Sequence, residues 1–382
     1  MTPRQRFRAT ASFEPVDRAF LLQPWLWPET LRRWQDEGLP PDTDLAERFG
    51  TDQEHCVPLA MQGPYGPHLH PPLERRTLAE TDRHVVIRDE EGNTVRLLKD
   101  DPLRSMPEWI AYPMATREDW EHVVKPRLDP SVPGRQPEGE EWKRYVASVR
   151  ERDYPLGLWC GSFYGWPRSL LGVEAFSLLL YDDPALVHEM CEHIADFVVA
   201  LIAPILRDVQ LDFAFIWEDM GAKSGPLCSP ATYRRFMLPP LQRVTDLLHA
   251  QGVDTIILDS DGNNDALIPL WLEARVTGLR PFEVAADSDP VGARRRYGRS
   301  LVIQGGVDKR ALAAGPEAIE REVLSKVPWL CLQGGYFPQV DHLVPPDVSL
   351  RSYEHYAALV RRVVEDPERA LDEARRRGLW ED

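Results

Sequence analysis

The sequence predicts an α/β protein of the (β/α)₈ TIM barrel class, one domain over residues 1–382, with N-terminal helices and an inserted β-hairpin. Three observations carry this. From residue 150 onward, short β-rich apolar runs alternate with amphipathic helices, the pattern of βαβ units. With two more runs near the front the count reaches eight, which fits a closed barrel. No Gly-x-Gly-x-x-Gly follows the first run, which speaks against an open doubly wound sheet.

Taken in order, AFLLQPW (19–25) and HCVPLAM (55–61) supply the first two strands. YPLGLWCGSF (154–163), LDFAFIWEDM (211–220) and DTIILDSDG (254–262) supply the next three, and VTGLRPFEV (276–284), LVIQGGVD (301–308) and WLCLQGGYF (329–337) the last three. Among the intervening helices, 183–209 carries apolar residues at three- and four-residue spacing. Another opens on Ser229 and Pro230 as N-cap and first helical residue and closes at Gly252. Outside the repeat, 84–100 reads as a hairpin about Glu90-Glu91-Gly92-Asn93. The Pro- and Gly-rich stretch 125–140 reads as a surface loop, and the C-terminal stretch as a polar closing helix.

Composition narrows the function classes. The chain is 43% hydrophobic and 28% charged, enough for a large core. A formal charge of −16 argues against nucleic acid, whose phosphates are met by Lys and Arg, and against an anionic membrane surface. Cys56, Cys160, Cys191, Cys228 and Cys331 never form a Cys-x-x-Cys pair, which fits a reducing compartment. The N-terminus lacks an apolar core of signal-peptide length, and no charge-free apolar run reaches about 18 residues. A cytoplasmic protein is expected, with a homodimer left open.

In such barrels the active site lies at the carboxyl ends of the strands. Here those ends carry Trp217-Glu218-Asp219, Asp259-Ser260-Asp261, Phe282-Glu283, Gln304-Gly305-Gly306 with Asp308, and Gly334-Gly335-Tyr336 followed by Asp341-His342. Crowded acids raise one another's pKa or recruit a cation, and either result serves acid–base or metal chemistry. Glu218, Asp219, Asp261 and His342 are therefore the catalytic candidates. Glu218, Asp261 and His342 are also the candidate ligands of a divalent metal. Glu218 and Asp261 end adjacent strands, so their carboxylates are expected within several ångströms, sharing a proton or a cation. On that reading Glu218→Gln and Asp261→Asn abolish turnover and spare the fold. Trp25, Trp27, Trp159, Ser162, Lys223, Asp259, Gln304 and Asp341 are the candidate substrate contacts, with Trp166 a further ring near the strand ends. Structural alternatives stand beside each: a turn and N-cap for Asp259 and Asp261, an ion pair for Glu218 and Asp219, a loop anchor for His342, and core positions for Cys160, Cys331 and the tryptophans.

At these residues the sequence resembles the uroporphyrinogen decarboxylase superfamily, which includes the corrinoid-linked methyltransferases. RQRFRATASFEPVDR looks like its N-terminal signature, and 217–240, 256–284, 304–315 and 334–349 look like its barrel segments. The resemblance implies an enzyme. Authentic decarboxylases carry Arg-Gln-Ala-Gly-Arg-Tyr after the first strand to grip substrate carboxylates, whereas this chain has Gln23-Pro24-Trp25-Leu26-Trp27-Pro28. Thiol-activating methyltransferases carry His-x-Cys after the fifth strand, whereas this chain has Asp259-Ser260-Asp261. What these departures leave is methyl transfer between a small methylated or methoxylated substrate and a corrinoid (cobalamin) carried by a partner protein. Decarboxylation of a porphyrinogen or smaller carboxylated substrate is the second reading, and a non-catalytic ligand- or corrinoid-binding barrel the third.

Overall fold

The computed structural model describes residues 1–58, 66–100 and 106–381. Apolar runs bounded by turn residues become strands buried on both faces, as a parallel sheet covered by helices requires. The chain forms β1 (His55–Cys56), then β2 (Arg76–Glu80), β3 (His84–Arg88), β4 (Thr94–Leu98) and β5 (Glu108–Ala111). β6 (Leu156–Trp159), β7 (Phe213–Trp217), β8 (Gly221–Ala222) and β9 (Gly225–Pro226) follow, then β10 (Ile256–Asp259), β11 (Gly278–Arg280), β12 (Val302–Val307) and β13 (Tyr336–Val340). Seven of these make one parallel sheet in the order β1-β6-β7-β10-β11-β12-β13, and β2 to β5 make a separate antiparallel sheet.

The parallel sheet curls, and one side chain demonstrates it. Phe7, on helix Pro3–Ala11, has its ring 5.0 Å from Phe213 on β7 and 5.1 Å from Phe337 on β13. Those strands stand four ladder steps apart, roughly 19 Å in a flat sheet, so one ring touches both only if the sheet bends round it. Phe20, 5.3 Å from the same ring, joins them. Phe7, Phe20, Leu22, Phe213, Phe215, Ile257, Val302 and Phe337 form this inner core, and a larger core fills the space between sheet and helices.

Two expected strands differ. Residues 19–25 form no ladder among the described residues; Leu22 bridges Asp52 ahead of β1, and Leu26 bridges Val344 beyond β13. Pro24 has no N–H to donate, so a regular ladder is interrupted there. The eighth strand starts later than expected: Trp329–Gln333 belongs to helix Val327–Gln333, and β13 begins after Gly334-Gly335. A short apolar run does not distinguish strand from buried helix, and Pro328 sits in the first helical turn. Gly335 is needed where it stands, because φ is +62° and a Cβ would meet the Phe13 ring at 2.2 Å. In the second run, residues 59–61 lie outside the described residues.

β3 and β4 pair antiparallel from His84↔Leu98 to Arg88↔Thr94, flanked by the exposed edge strands β2 and β5. The stretch 125–140 differs from a plain surface loop: it starts with a 3₁₀ turn at Lys125–Arg127, buries Leu128 and Arg135, and enters helix Gly139–Val149. No described helix is long and apolar enough to cross a membrane.

Phe7→Ala removes the ring on which both arms of the curl pack. A loss of about 3–5 kcal/mol is expected, read as a lower urea midpoint at unchanged slope.

Candidate active site

Side chains alternate across a strand, so the positions following inner-core Ile257 and Val302 by two residues, Asp259 and Gln304, turn to the same inner face. Arg280 lies in register with Asp259. Its Nε donates to Asp259 Oδ2 at 2.8 Å, with the two side chains 5% and 8% exposed. The guanidinium lies over Trp25 at 4.1 Å, Phe215 at 4.1 Å and Trp159 at 5.4 Å, each a cation–π contact strengthened by the lack of water. Burial pushes Asp259 up to about 6, the Arg280 charge opposing the rise. Glu54, just ahead of β1, is pushed by burial up to about 7, again with Arg280 opposing. Glu54 Oε2, Arg280 Nη2 and both amide atoms of the fully buried Gln304 have no partner among the described residues.

Nearer the solvent, His342 Nε2 meets Asp261 Oδ2 at 3.0 Å, the side chains 20% and 36% exposed. Burial lowers the imidazole pKa, but the bond to Asp261 and its charge outweigh that and hold it above the usual histidine value. The Trp27 ring lies 5.9 Å from His342. Asp219 faces this group from the turn after β7: burial raises its carboxyl, Arg168 opposes, and the Asp261 charge adds to the rise. Arg168 holds Asp219 by its carboxylate at 2.7 Å and its carbonyl at 2.9 Å, which stabilises a φ of +38° that a side-chain-bearing residue rarely adopts.

The sequence candidates divide accordingly. Trp25, Trp159, Asp259 and Gln304 gather with Arg280, and Trp27, Asp219, Asp261 and His342 gather at the rim. Glu218 does not point to Asp261. Wholly buried, it accepts from Ser162 Oγ at 3.1 Å, Tyr164 N at 2.6 Å, Phe163 N at 3.3 Å and Tyr233 Oη at 3.2 Å, pinning the turn after β6. Ser162 is spent in the same bonds and accepts from Trp166 N. Asp341, fully buried, accepts from Val284 N at 2.8 Å and Lys309 N at 3.0 Å, and so fixes the loop that presents His342. Lys223 is 70% exposed and lies 3.9 Å from Asp287. Trp166 is core, packed on Phe197. The three expected metal ligands do not converge, and no group of three or more His, Cys, Asp or Glu among the described residues is placed to hold a metal ion.

Arg280 and Glu54 were not among the sequence candidates. The signal for Arg280 was present: it is the one cation inside VTGLRPFEV, and a charge in a buried strand needs a partner. Glu54 had none, since it precedes its strand in a polar stretch.

Replacing Glu218 by Ala leaves four donors facing a gap. A loss on the order of 3 kcal/mol or more in unfolding free energy is expected, with Glu218→Gln costing less because one acceptor oxygen remains. Urea titration checks both, and it separates a structural from a purely chemical role.

The uroporphyrinogen decarboxylase (URO-D) family model matches residues 104–363. The uroporphyrinogen decarboxylase of Methylococcus capsulatus is 29% identical over 191 residues, 49% of this chain and 51% of that protein. That of Shewanella piezotolerans is 32% identical over 155 residues, 39% of this chain and 41% of that protein. The chain thus spans about half the length of the curated relatives it matches. Among solved structures, a methyltransferase from Methanosarcina mazei superposes with a TM-score of 0.57 at 14% identity, covering 95% of this chain and 99% of that one, a likeness of fold. With well over half of its length matched by the family model, the chain belongs to the uroporphyrinogen decarboxylase family.

Proposed function

We propose that this family member is a corrinoid-linked methyltransferase acting on a small methylated or methoxylated substrate. In this reading the curled sheet is a closed barrel with residues 19–26 as its last stave, and the substrate sits in the mouth between Arg280 and the rim. The carrying observation is the His342–Asp261 pair, 3.0 Å apart and open to solvent at the rim. Its raised pKa keeps the imidazole charged toward neutral pH, the state a general acid needs. The methyl–oxygen bond breaks, the methyl passes to the acceptor, and the oxygen keeps the electron pair and takes the His342 proton. A corrinoid on a partner protein would supply the nucleophile that accepts the methyl group. The rim position of Trp27, His342 and Asp261 leaves the reacting end within a partner's reach. No step is routed through a divalent metal, because Glu218 is committed elsewhere and only Asp261 and His342 remain as donors.

Decarboxylation of a small carboxylated substrate is the second reading, supported by the open Nη2 of Arg280 and by the activity for which the curated relatives are named. The weight falls on methyl transfer because the rim carries a charged acid, His342 held by Asp261, suited to protonating a leaving oxygen.

The test gives purified protein a panel of methoxylated substrates with reduced cobalamin as surrogate acceptor, and follows methyl transfer and carbon dioxide together. Methyl transfer that stops without the corrinoid is expected; carbon dioxide release without it would select the second reading. His342→Gln is expected to lower the rate roughly 10²- to 10⁴-fold. The pH profile adds a signed check. The acid form of His342 is lost as pH rises through its raised pKa, so activity falls on the alkaline side. Asp261→Asn removes the bond and charge that raise it and should move that limb to lower pH.

A further inference from the structure

The inner layer at Arg280 carries buried polar groups that the rim chemistry does not use. Four polar atoms there, Arg280 Nη2, Glu54 Oε2, Gln304 Nε2 and Gln304 Oε1, are buried without partners among the described residues. Burying such atoms unpaired costs free energy each time, and two of them, Arg280 Nη2 and Gln304 Nε2, are donors that an acceptor ligand would satisfy. Arg280 is also fixed in orientation. Asp259 holds Nε, and Trp25 and Phe215 lie 4.1 Å from the guanidinium, leaving Nη2 as an aimed donor. Along the sheet, Gly278 pairs with Val302 and Leu279 with Ile303, so Gln304 follows beside Arg280 on the same inner face.

We infer that Arg280 and Gln304, with Glu54 close enough to feel the Arg280 charge, form a subsite for the carboxylate of a small monocarboxylate substrate. It rests on the reading that the mouth holds the substrate, and it names that substrate's class. Arg280 Nη2 and Gln304 Nε2 donate to the carboxylate oxygens. Asp259 already offsets the Arg280 charge, so a second anion is tolerated only if its surroundings stay otherwise neutral. They can: burial pushes Glu54 up to about 7, free to carry a proton, and the neighbouring Cys56 thiol up to about 12, neutral. A substrate anchored by its carboxylate at this depth presents its far end toward His342 and Trp27. Residues 19–28 bring no cation to the mouth, and β11 supplies one in Arg280.

The experiment compares benzoate with benzamide, equal in shape and different in charge, by calorimetric titration of the whole protein. Benzoate is expected to bind about tenfold or more tighter, the scale of a hydrogen bond to a charged group. Arg280→Gln with Asp259→Asn removes both charges together, leaves neither unpaired, and should abolish the preference while near-ultraviolet circular dichroism stays native. Arg280→Lys, which keeps the charge and loses the planar fork, serves if the double variant does not fold, and should reduce the preference. Equal affinity for the two probes, no binding of either at millimolar concentration, tighter binding of benzylamine, or a preference that survives in a folded variant would each overturn the subsite. A benzoate preference without any methyl transfer would keep the subsite and remove the methyltransferase reading. Methyl transfer without the preference would do the reverse.

Discussion

The Asp259–Arg280 ion pair is the constraint around which the mouth is arranged. Two opposite charges, each more than nine-tenths buried, are held at 2.8 Å in an apolar surround. Such a pair repays its desolvation only through close geometry and additional contacts, and Arg280 has them in Trp25, Phe215 and Trp159. Those three rings come from the N-terminal segment, β7 and β6, so one guanidinium joins parts of the chain more than 250 residues apart in sequence. The inner core packed on Phe7 performs the same joining deeper down. Apolar below and ionic above, the interior is a stack of two layers that both need the sheet curled.

The carboxylates sort by the face they occupy. Those that turn toward loops are held chiefly by backbone donors: Glu218 by the turn after β6, and Asp341 by Val284 and Lys309. Those that turn inward or to the rim, Asp259, Asp261 and Asp219, meet cationic side chains instead. The first set gives rigidity to the loops that present the second. Asp341 and His342 show the division within a single dipeptide.

Much of this was legible in the sequence, for identifiable reasons. The runs at 211–220, 254–262, 276–284 and 301–308 each contain a strand of the sheet, because apolar stretches bounded by Asp, Gly and Pro have few other ways to fold. WLCLQ reads as a strand in the sequence and is helical, since four apolar residues satisfy a helix as well as a strand and tertiary position decides the matter. The strands β2 and β5 that flank the hairpin carry no alternation of burial, so no pattern marked them. Glu218 and Asp219 are neighbours with opposite fates, and their assignment depended on how the backbone turns at Asp219, where φ is +38°. Sequence spacing does not reveal that turn. Arg280 was visible as a charge within an apolar run and acquires meaning only once Asp259 stands beside it.

Arg280 and Asp259 are coupled as an ionised pair inside the curl. A double-mutant cycle over Asp259→Asn, Arg280→Gln and the two together, measured by urea unfolding near neutral pH, tests this directly. Each single change strands a buried polar partner, so a coupling energy of about 2 kcal/mol or more is expected, with the double variant more stable than additivity allows. A coupling near zero, with the two single losses simply adding, would contradict it.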